Sequence, residues 1–114
     1  MRGVCAAMSD DALAEYWKGF ADDVRRRGHL ELYRSGDFEK LVPYEGRLAA
    51  IDVPALILWG GQDRFASVKM AHRFHAELTQ SELAVFEDAG HFVWDEEPER
   101  AAAALVEFLN RRLP

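Results

Sequence analysis

Two residues capable of acid–base chemistry, Asp63 and His91, follow apolar runs of the chain in the same way. Asp63 comes after the run 53–59 and a pair of glycines, and His91 comes after the run 83–86 and Gly90. Open α/β sheets place active sites on loops that leave the carboxyl ends of buried strands. An aspartate that accepts a hydrogen bond from a histidine ring N–H fixes the tautomer and leaves the other ring nitrogen free as a base. The pair therefore predicts a catalytic site, although each residue alone is as typical of a turn cap or a loop histidine.

The elements that must position this pair alternate along the chain. Residues 55–59 and 82–87 predict two strands, and residues 67–78 and 95–112 predict two helices. The first strand is apolar on both faces, which is typical of a parallel strand covered by helices. The order strand, helix, strand, helix predicts a right-handed crossover between parallel strands. Such neighbours lie about 5 Å apart, so the loops that follow them can bring the acid and the base together.

The first part of the chain predicts short helices with aromatic faces and no strand. Ser9 suits the start of a first helix, the arginines 25–27 suit its negative end, and Gly28 suits the position just after it. The apolar face of this helix consists of Leu13, Tyr16, Trp17, Phe20 and Val24. Further short helices are predicted over the segments 29–34, 38–42 and 44–50. We therefore divide the chain into a helical segment, residues 1–46, and an α/β segment, residues 47–114.

The composition of the 114 residues is that of one small globular chain with an acidic surface. Lys plus Arg number 14 and Asp plus Glu number 20, so the formal net charge is -6. An acidic chain with one basic triplet argues against nucleic acid or an anionic membrane surface as a partner. The apolar run 53–59 is too short to span a bilayer, and the first residues lack the apolar core of a signal peptide. We therefore expect a cytoplasmic protein.

Three further groups of residues have both a structural and a functional interpretation. The spacing of His72, His75 and Glu77 can hold a metal, but a solvated helix face explains it better because no further ligand is evident. The residues near the pair predict either an apolar substrate pocket or core packing, namely Trp59, Phe65, Phe92, Val93 and Trp94. The aromatics of the first segment predict either the underside of a lid, with Trp17 at the pocket, or contacts between its helices: Tyr16, Trp17, Phe20 and Tyr33. We expect neither a metal nor an organic cofactor.

Taken together, the motifs around the pair resemble the C-terminal part of α/β-hydrolase-fold enzymes. The resemblance rests on VPALILWGGQDRF at 53–65, AGHF at 89–92 and EEPER at 96–100, followed by an apolar helix. It is closest to haloalkane dehalogenases and epoxide hydrolases. It implies a partial α/β-hydrolase fold in which Asp63 is the triad acid and His91 is the general base. More loosely, residues 8–46 look like part of the helical cap of those enzymes.

The chain departs from that family at the nucleophile. The family carries it on a tight elbow, G-x-S-x-G or a variant with Asp or Cys. None of the serines at 9, 35, 67 and 81 has glycine two residues before it. The stretch 3–7 superficially fits a cysteine elbow around Cys5, but no strand precedes it. The glycine-rich oxyanion loop is also absent.

The sequence therefore predicts an α/β fold that holds two of three triad positions. In the complete enzyme, a nucleophile from the missing half would attack a small apolar ester, haloalkane or epoxide, and this chain alone would be nearly inactive. The alternative is a non-catalytic interaction module, or a truncated product that pairs with another chain. In either case two strands expose an apolar edge, so we expect self-association or pairing with a chain that carries the missing half.

Overall fold

The computed structural model describes residue 5 and residues 8–112. The elements in chain order are α1 (Asp10–Lys18), α2 (Asp23–Arg34), two 3₁₀ helices (Phe38–Tyr44 and Arg47–Ala50), β1 (Ala55–Gly60), α3 (Val68–Glu77), β2 (Ser81–Phe86), α4 (Val93–Glu96) and α5 (Pro98–Arg112). The chain forms two compact units, of which one spans residues 8–45 and the other contains both strands. Among the described helices, none combines the length and the apolar character that crossing a bilayer requires.

The two strands of the α/β unit pair in parallel, as the sequence predicts. Ala55 lies opposite Ser81 and the register continues to Gly60 opposite Phe86. Because the strands are in register over their whole length, their carboxyl ends lie at one edge of the sheet. The loops that carry Asp63 and His91 both leave from that edge.

Local sequence signals set the ends of the helices in this unit. Ser67 caps α3, as predicted, because its hydroxyl accepts a hydrogen bond from the N–H of Lys69 at 3.4 Å. The helix start predicted at residues 95–99 contains the start of α5 at Pro98, but the acidic residues 95 and 96 belong to the separate short helix α4, which ends at Glu96. Proline disfavours helical geometry in the residue before it but suits the first helical position, so Glu97 interrupts the helix.

The core of the α/β unit lies beneath the carboxyl edge of the sheet. Its buried members are Phe86, Ala89, Val93 and Ala101, and the half-buried residues packed against them are Leu58, Ala84 and Ala104. Only the last residue of each strand is buried, and the others are half-buried. The predicted burial of β1 on both faces is therefore met only in part, because the described elements leave much of the sheet accessible.

The far end of α5 is held to the start of β2 by charge. Arg112 Nη2 lies 2.9 Å from Glu82 Oε1, and Arg111 pairs with Oε2 of the same carboxylate. The hydrogen bond from Arg111 is the main cause that lowers the pKa of Glu82. A positive arginine side chain is also stabilised at the C-terminal end of a helix, which is the negative pole of the helix dipole. The last turn of α5 thus lies fixed against the sheet.

In the helical unit, the predicted first helix is two helices. α1 ends at Lys18, and α2 starts after Asp22, whose Oδ1 accepts a hydrogen bond from the N–H of Arg25 at 2.8 Å. The prediction that arginines 25–27 end a helix is wrong, because this cap places them in the first turns of α2. Arg25 Nη1 donates instead to the carbonyl of Lys18 at 3.0 Å and so satisfies the end of α1. Gly28, predicted to follow the helix, lies inside α2.

Aromatic rings join the two helices of this unit. The ring of Phe20 lies 6.1 Å from that of Trp17 and 4.7 Å from that of His29, which in turn lies 5.0 Å from Tyr33. Neither helix contains a buried residue. The stack therefore supplies contacts between the helices, and the described side chains of α1 and α2 enclose no core of their own.

At the carboxyl edge of the sheet, Gly60 allows a close approach of backbones. A Cβ atom built on Gly60 would lie 1.9 Å from the carbonyl oxygen of Gly90 and 2.5 Å from that of Ala89. Non-bonded carbon and oxygen atoms do not approach this closely, and backbone atoms cannot rotate away as a side chain can. Only glycine at this position lets the end of β1 lie against the segment that carries His91.

We expect Gly60→Ala to destabilise the α/β unit by about 1–3 kcal/mol or more, because the methyl group overpacks against fixed backbone. The matched control is Gly28→Ala, where nothing lies within 4 Å of the added Cβ. In a helix interior that change should stabilise by about 0.5–1 kcal/mol. Urea denaturation followed by circular dichroism measures both. An unchanged midpoint for Gly60→Ala would contradict the close approach.

Candidate active site

Main-chain hydrogen bonds join the two loops at the carboxyl edge of the sheet. The N–H of Gly61 donates to the carbonyl of Phe86 at 2.8 Å, and the N–H of Gln62 donates to that of Ala89 at 2.9 Å. The side-chain amide of Gln62 donates to the carbonyl of Glu87 at 3.1 Å. These bonds continue the pairing of the strands into the loops, so the loops keep a set spacing.

Asp63 uses its two carboxylate oxygens for two purposes. Oδ1 accepts hydrogen bonds from the N–H groups of Phe65 at 2.8 Å and Ala66 at 2.9 Å, which closes the turn before α3. Oδ2 lies 2.8 Å from Nδ1 of His91. The Asp63 side chain is 6% exposed. The turn-cap and histidine-partner interpretations of Asp63 are therefore both true of one carboxylate.

The surroundings of Asp63 favour its ionised form. Burial acts to raise the pKa, but the hydrogen bonds from Ala66, His91 and Phe65 and the charge of His91 outweigh it, so the pKa of Asp63 is lowered. An ionised carboxylate can only accept hydrogen bonds. His91 must then carry its proton on Nδ1 in the bond to Asp63, which leaves Nε2 as the basic nitrogen of the neutral ring.

His91 is held between aromatic rings and remains open to solvent. Its ring centroid lies 5.2 Å from that of Phe65 and 5.3 Å from that of Phe92, the latter edge-on at 84°. The His91 side chain is 43% exposed. Within the described part of the chain, its hydrogen-bond partner is Asp63. The Nε2 atom is thus available to a group that approaches from outside.

A cavity of about 280 Å³ opens beside His91. It is lined by Gln62, Arg64, Phe65, Asp88, Gly90, His91 and Glu96. Most of these side chains are polar or charged. Glu96 is a site residue that the sequence analysis missed, and its carboxylate accepts hydrogen bonds from the N–H groups of Gly90 and Phe92.

The comparisons with known proteins agree with this arrangement of an acid and a histidine on the loops after adjacent parallel strands. Residues 2–104 match the profile of the alpha/beta hydrolase family. The chain belongs to the α/β hydrolase family. The resemblance and the partial α/β-hydrolase fold predicted from the sequence are thereby confirmed.

Relatives of the chain within this family include named and uncharacterised hydrolases. A "2-hydroxy-6-oxononadienedioate/2-hydroxy-6-oxononatrienedioate hydrolase" of Burkholderia vietnamiensis is 34% identical over 75% of the chain and 31% of its own length. The uncharacterised hydrolase YugF of Bacillus subtilis is 32% identical over 90% of the chain and 37% of its own length. The chain thus spans about a third of the length of these relatives.

A solved structure has the same fold. The crystal structure of a predicted CIB-like hydrolase from Thermoplasma acidophilum superposes with a TM-score of 0.58 at 25% identity. The match covers 62% of the chain and 34% of the solved structure. It supports a partial α/β-hydrolase fold for the strands and helices described above.

The other residues that the sequence predicted for a pocket take different places. Phe65 lines the cavity and Phe92 packs on the ring of His91. Val93 is buried in the core. Trp59 packs 6.1 Å from the ring of Phe74 and donates through Nε1 to the carbonyl of Ala66 at 2.9 Å. Trp17, in the helical unit, is 63% exposed and packs on the ring of Phe20.

The remaining candidate groups form local contacts. Nδ1 of His75 lies 2.8 Å from Ser81 Oγ, and Glu77 pairs with Arg73 at 2.9 Å. Over residue 5 and residues 8–112, no cluster of three or more His, Cys, Asp or Glu side chains could hold a metal ion. Cys5 is fully buried, and the rest of the stretch 3–7 that resembles a cysteine elbow lies outside the described residues.

Asp63→Asn should remove the pH-dependent part of the free energy of unfolding that the ionised Asp63 contributes. A folded-state pKa below the unfolded value means that Asp63 contributes its full stabilisation above about pH 4 and loses it as pH falls through the folded pKa. The stability gap between the native chain and Asp63→Asn should therefore narrow as pH falls from about 5 to about 2. Denaturant midpoints across this range measure the gap.

A second variant separates the charge of Asp63 from its turn cap. Asp63→Ala also removes the acceptor for Phe65 and Ala66, so it should be less stable than Asp63→Asn by about 1 kcal/mol at every pH. A gap between the native chain and Asp63→Asn that stays constant with pH would refute the lowered pKa.

Proposed function

We propose that Asp63 and His91 are the acid and the general base of an α/β-hydrolase active site. The observation that carries this proposal is the 2.8 Å bond between Asp63 Oδ2 and His91 Nδ1 at the carboxyl edge of a parallel sheet. The family membership, the exposure of the His91 ring and the adjoining cavity support it. The helical unit then corresponds to part of the cap of such an enzyme.

The geometry suits a specific division of labour. Asp63, kept ionised by its N–H donors, holds the Nδ1 proton of His91 and stabilises the imidazolium when it forms. Nε2 accepts a proton from a serine nucleophile and returns it to the leaving group. Where the nucleophile is an aspartate, Nε2 instead takes a proton from the water that cleaves the alkyl-enzyme ester. The proposed chemistry needs no metal or organic cofactor.

In this proposal, the nucleophile belongs to polypeptide beyond these 114 residues. The serines of the chain all have local structural partners. Ser9 and Ser67 cap helices α1 and α3. Ser35 donates to the carbonyl of Leu32 at 2.8 Å, and Ser81 donates to that of Leu78 at 2.7 Å. Each hydroxyl therefore forms a hydrogen bond with nearby main chain. The hydrogen-bond partner of His91 is Asp63 rather than a serine.

We propose a small ester, haloalkane or epoxide as the substrate. Phe65 supplies an apolar wall to the cavity beside His91, and Arg64 and Gln62 supply hydrogen-bond donors. Those donors also suit a substrate that bears a carboxylate. Such groups occur in the dioates after which the Burkholderia relative is named.

The isolated 114-residue chain should hydrolyse p-nitrophenyl acetate at the background rate, because a base without a nucleophile activates only water. His91→Ala should give the same rate. The same comparison with a small bromoalkane measures halide release. Hydrolysis by the native chain that His91→Ala abolishes would contradict a nucleophile from elsewhere.

The catalytic role of the pair is testable in a fusion in which this chain replaces the matched segment of YugF. In a fusion that hydrolyses p-nitrophenyl acetate, we expect His91→Ala to lower the rate by about 10⁴-fold or more. Asp63→Ala should also lower it. The matched control is His72→Ala, an exposed histidine of α3, which should leave the rate unchanged. A folded fusion that hydrolyses the ester equally well without His91 would refute the proposal.

The second candidate function is a non-catalytic module that pairs with another chain. It is favoured by the sheet, whose residues before the last of each strand are only half-buried. A partner strand would cover that surface in either proposal. The fusion distinguishes them: partner binding that is unaffected by His91→Ala, together with no His91-dependent hydrolysis, would favour the non-catalytic function.

A further inference from the structure

Glu96, the last residue of α4, bonds to the main chain on both sides of His91. The N–H of Gly90 donates to Oε2 at 2.8 Å, and the N–H of Phe92 donates to Oε1 at 3.2 Å. Both contacts are part-buried. Hydrogen bonds to an ionised carboxylate are stronger than those between neutral groups. One side chain thus uses both of its oxygens to hold the two peptide groups that flank the proposed base.

The position of Gly90 is restricted from the opposite side as well. Its carbonyl oxygen lies where a Cβ atom on Gly60 would be, at 1.9 Å. A Cβ atom built on Gly90 itself would lie 3.1 Å from Oε1 and 3.4 Å from Oε2 of Glu96. The segment that carries His91 is therefore held between the end of β1 and the Glu96 carboxylate, and a side chain at Gly90 would require that carboxylate to shift.

We propose that Glu96 is a positioning residue for His91. Asp63 orients the His91 ring through Nδ1, whereas Glu96 sets the main chain from which that ring projects. Without Glu96, two N–H groups would lose their acceptor and the loop could rotate away from Asp63. This proposal rests on the proposed function for one point, namely that the positioned His91 acts as a general base.

The alternative is that Glu96 merely stabilises the start of α4 and α5. In that case, its loss would lower the stability of the α/β unit and leave the Asp63–His91 bond unchanged. The two roles predict different signals from the His91 ring, so they can be separated without any measurement of catalysis.

The first experiment is nuclear magnetic resonance of the full 114-residue chain with labelled histidine. In the native chain we expect the Nδ1 proton of His91 to be observable and the ring nitrogens to report the Nδ1–H tautomer. Glu96→Gln keeps the size of the side chain but replaces one acceptor with a donor. It should weaken or abolish the Nδ1 proton signal and mix the tautomers.

The matched control is Glu97→Gln, the same change one residue along the chain. Glu97 pairs with Arg100 at 3.3 Å and has no hydrogen bond to the loop of His91. It should leave the His91 signals unchanged. Native-like His91 signals in Glu96→Gln, in a chain that retains its other resonances, would overturn the proposal.

A second variant keeps the charge and tests the same contact. Gly90→Ala places a methyl group within 3.1–3.4 Å of both Glu96 oxygens, so the flexible carboxylate must shift. We expect the His91 signals to change in the same direction as in Glu96→Gln. This variant also serves if Glu96→Gln does not fold. His91 signals in Gly90→Ala that match those of the native chain would likewise overturn the proposal.

The fusion with YugF gives a catalytic readout. A displaced base slows the reaction of bound substrate more than it weakens substrate binding. Glu96→Gln should therefore lower kcat by up to about 10²-fold with KM little changed. Glu97→Gln should match the native fusion. If His91→Ala has no effect in the fusion, the proposed function fails while the resonance result still decides the role of Glu96. If only the resonance signals fail to change, the positioning role alone is refuted.

Discussion

The backbone contact between the two loops at the carboxyl edge of the sheet is the constraint on which the site depends. The N–H groups of Gly61 and Gln62 donate across to the carbonyls of Phe86 and Ala89, and Gly60 leaves no side chain between them. Backbone polar groups removed from water must be paired, so the loops cannot separate without losing these bonds. The main-chain bonds therefore set the spacing of the two loops, and side-chain contacts place Asp63 and His91 within that spacing.

Two carboxylates then act on one histidine through different groups. Asp63 contacts the imidazole ring, and Glu96 contacts the peptide N–H groups before and after it. Each carboxylate uses both oxygens, so each is satisfied while it fixes its neighbour. Asp63 also closes the turn into α3 through Phe65 and Ala66. This shared use explains why a structural interpretation of Asp63 never excluded the functional one.

The sequence predicts a feature of this structure well when the residues that indicate the feature lie close together in the chain. The strands, the parallel pairing and the spacing of Asp63 and His91 follow from apolar runs and glycines that lie close together in the chain. The break between α1 and α2 was missed because Asp22 competes as a helix cap within an otherwise continuous apolar pattern. Glu96 was missed because hydrogen bonds to backbone N–H groups leave no side-chain partner to recognise. Its signals are an acidic residue shortly after His91 and its place at the start of the EEPER motif at 96–100.

The places of the aromatic residues near Asp63 and His91 are harder to predict than the pairing of these two side chains, for a physical reason. An aromatic side chain beside a site can turn either to the cavity or to the protein, and only packing decides. Trp59 turns toward Phe74 in α3, where its indole N–H finds the carbonyl of Ala66, and Val93 enters the core. Phe65 and Phe92, by contrast, contact the His91 ring. Phe65 is 67% exposed, and neither ring belongs to the buried core cluster of the described residues.

Burial along the strands explains how the site keeps its geometry in a sheet that is only partly covered. The buried ends of β1 and β2, Gly60 and Phe86, are also the ends from which the two loops leave. Phe86 packs with Ala89 and Val93, which lie on either side of the segment that carries His91. The described core of the unit therefore includes the end of β2 and residues on both sides of His91. A partner that covers the half-buried remainder of the strands would add stability there, while the loops of Asp63 and His91 already leave from the buried ends of the strands.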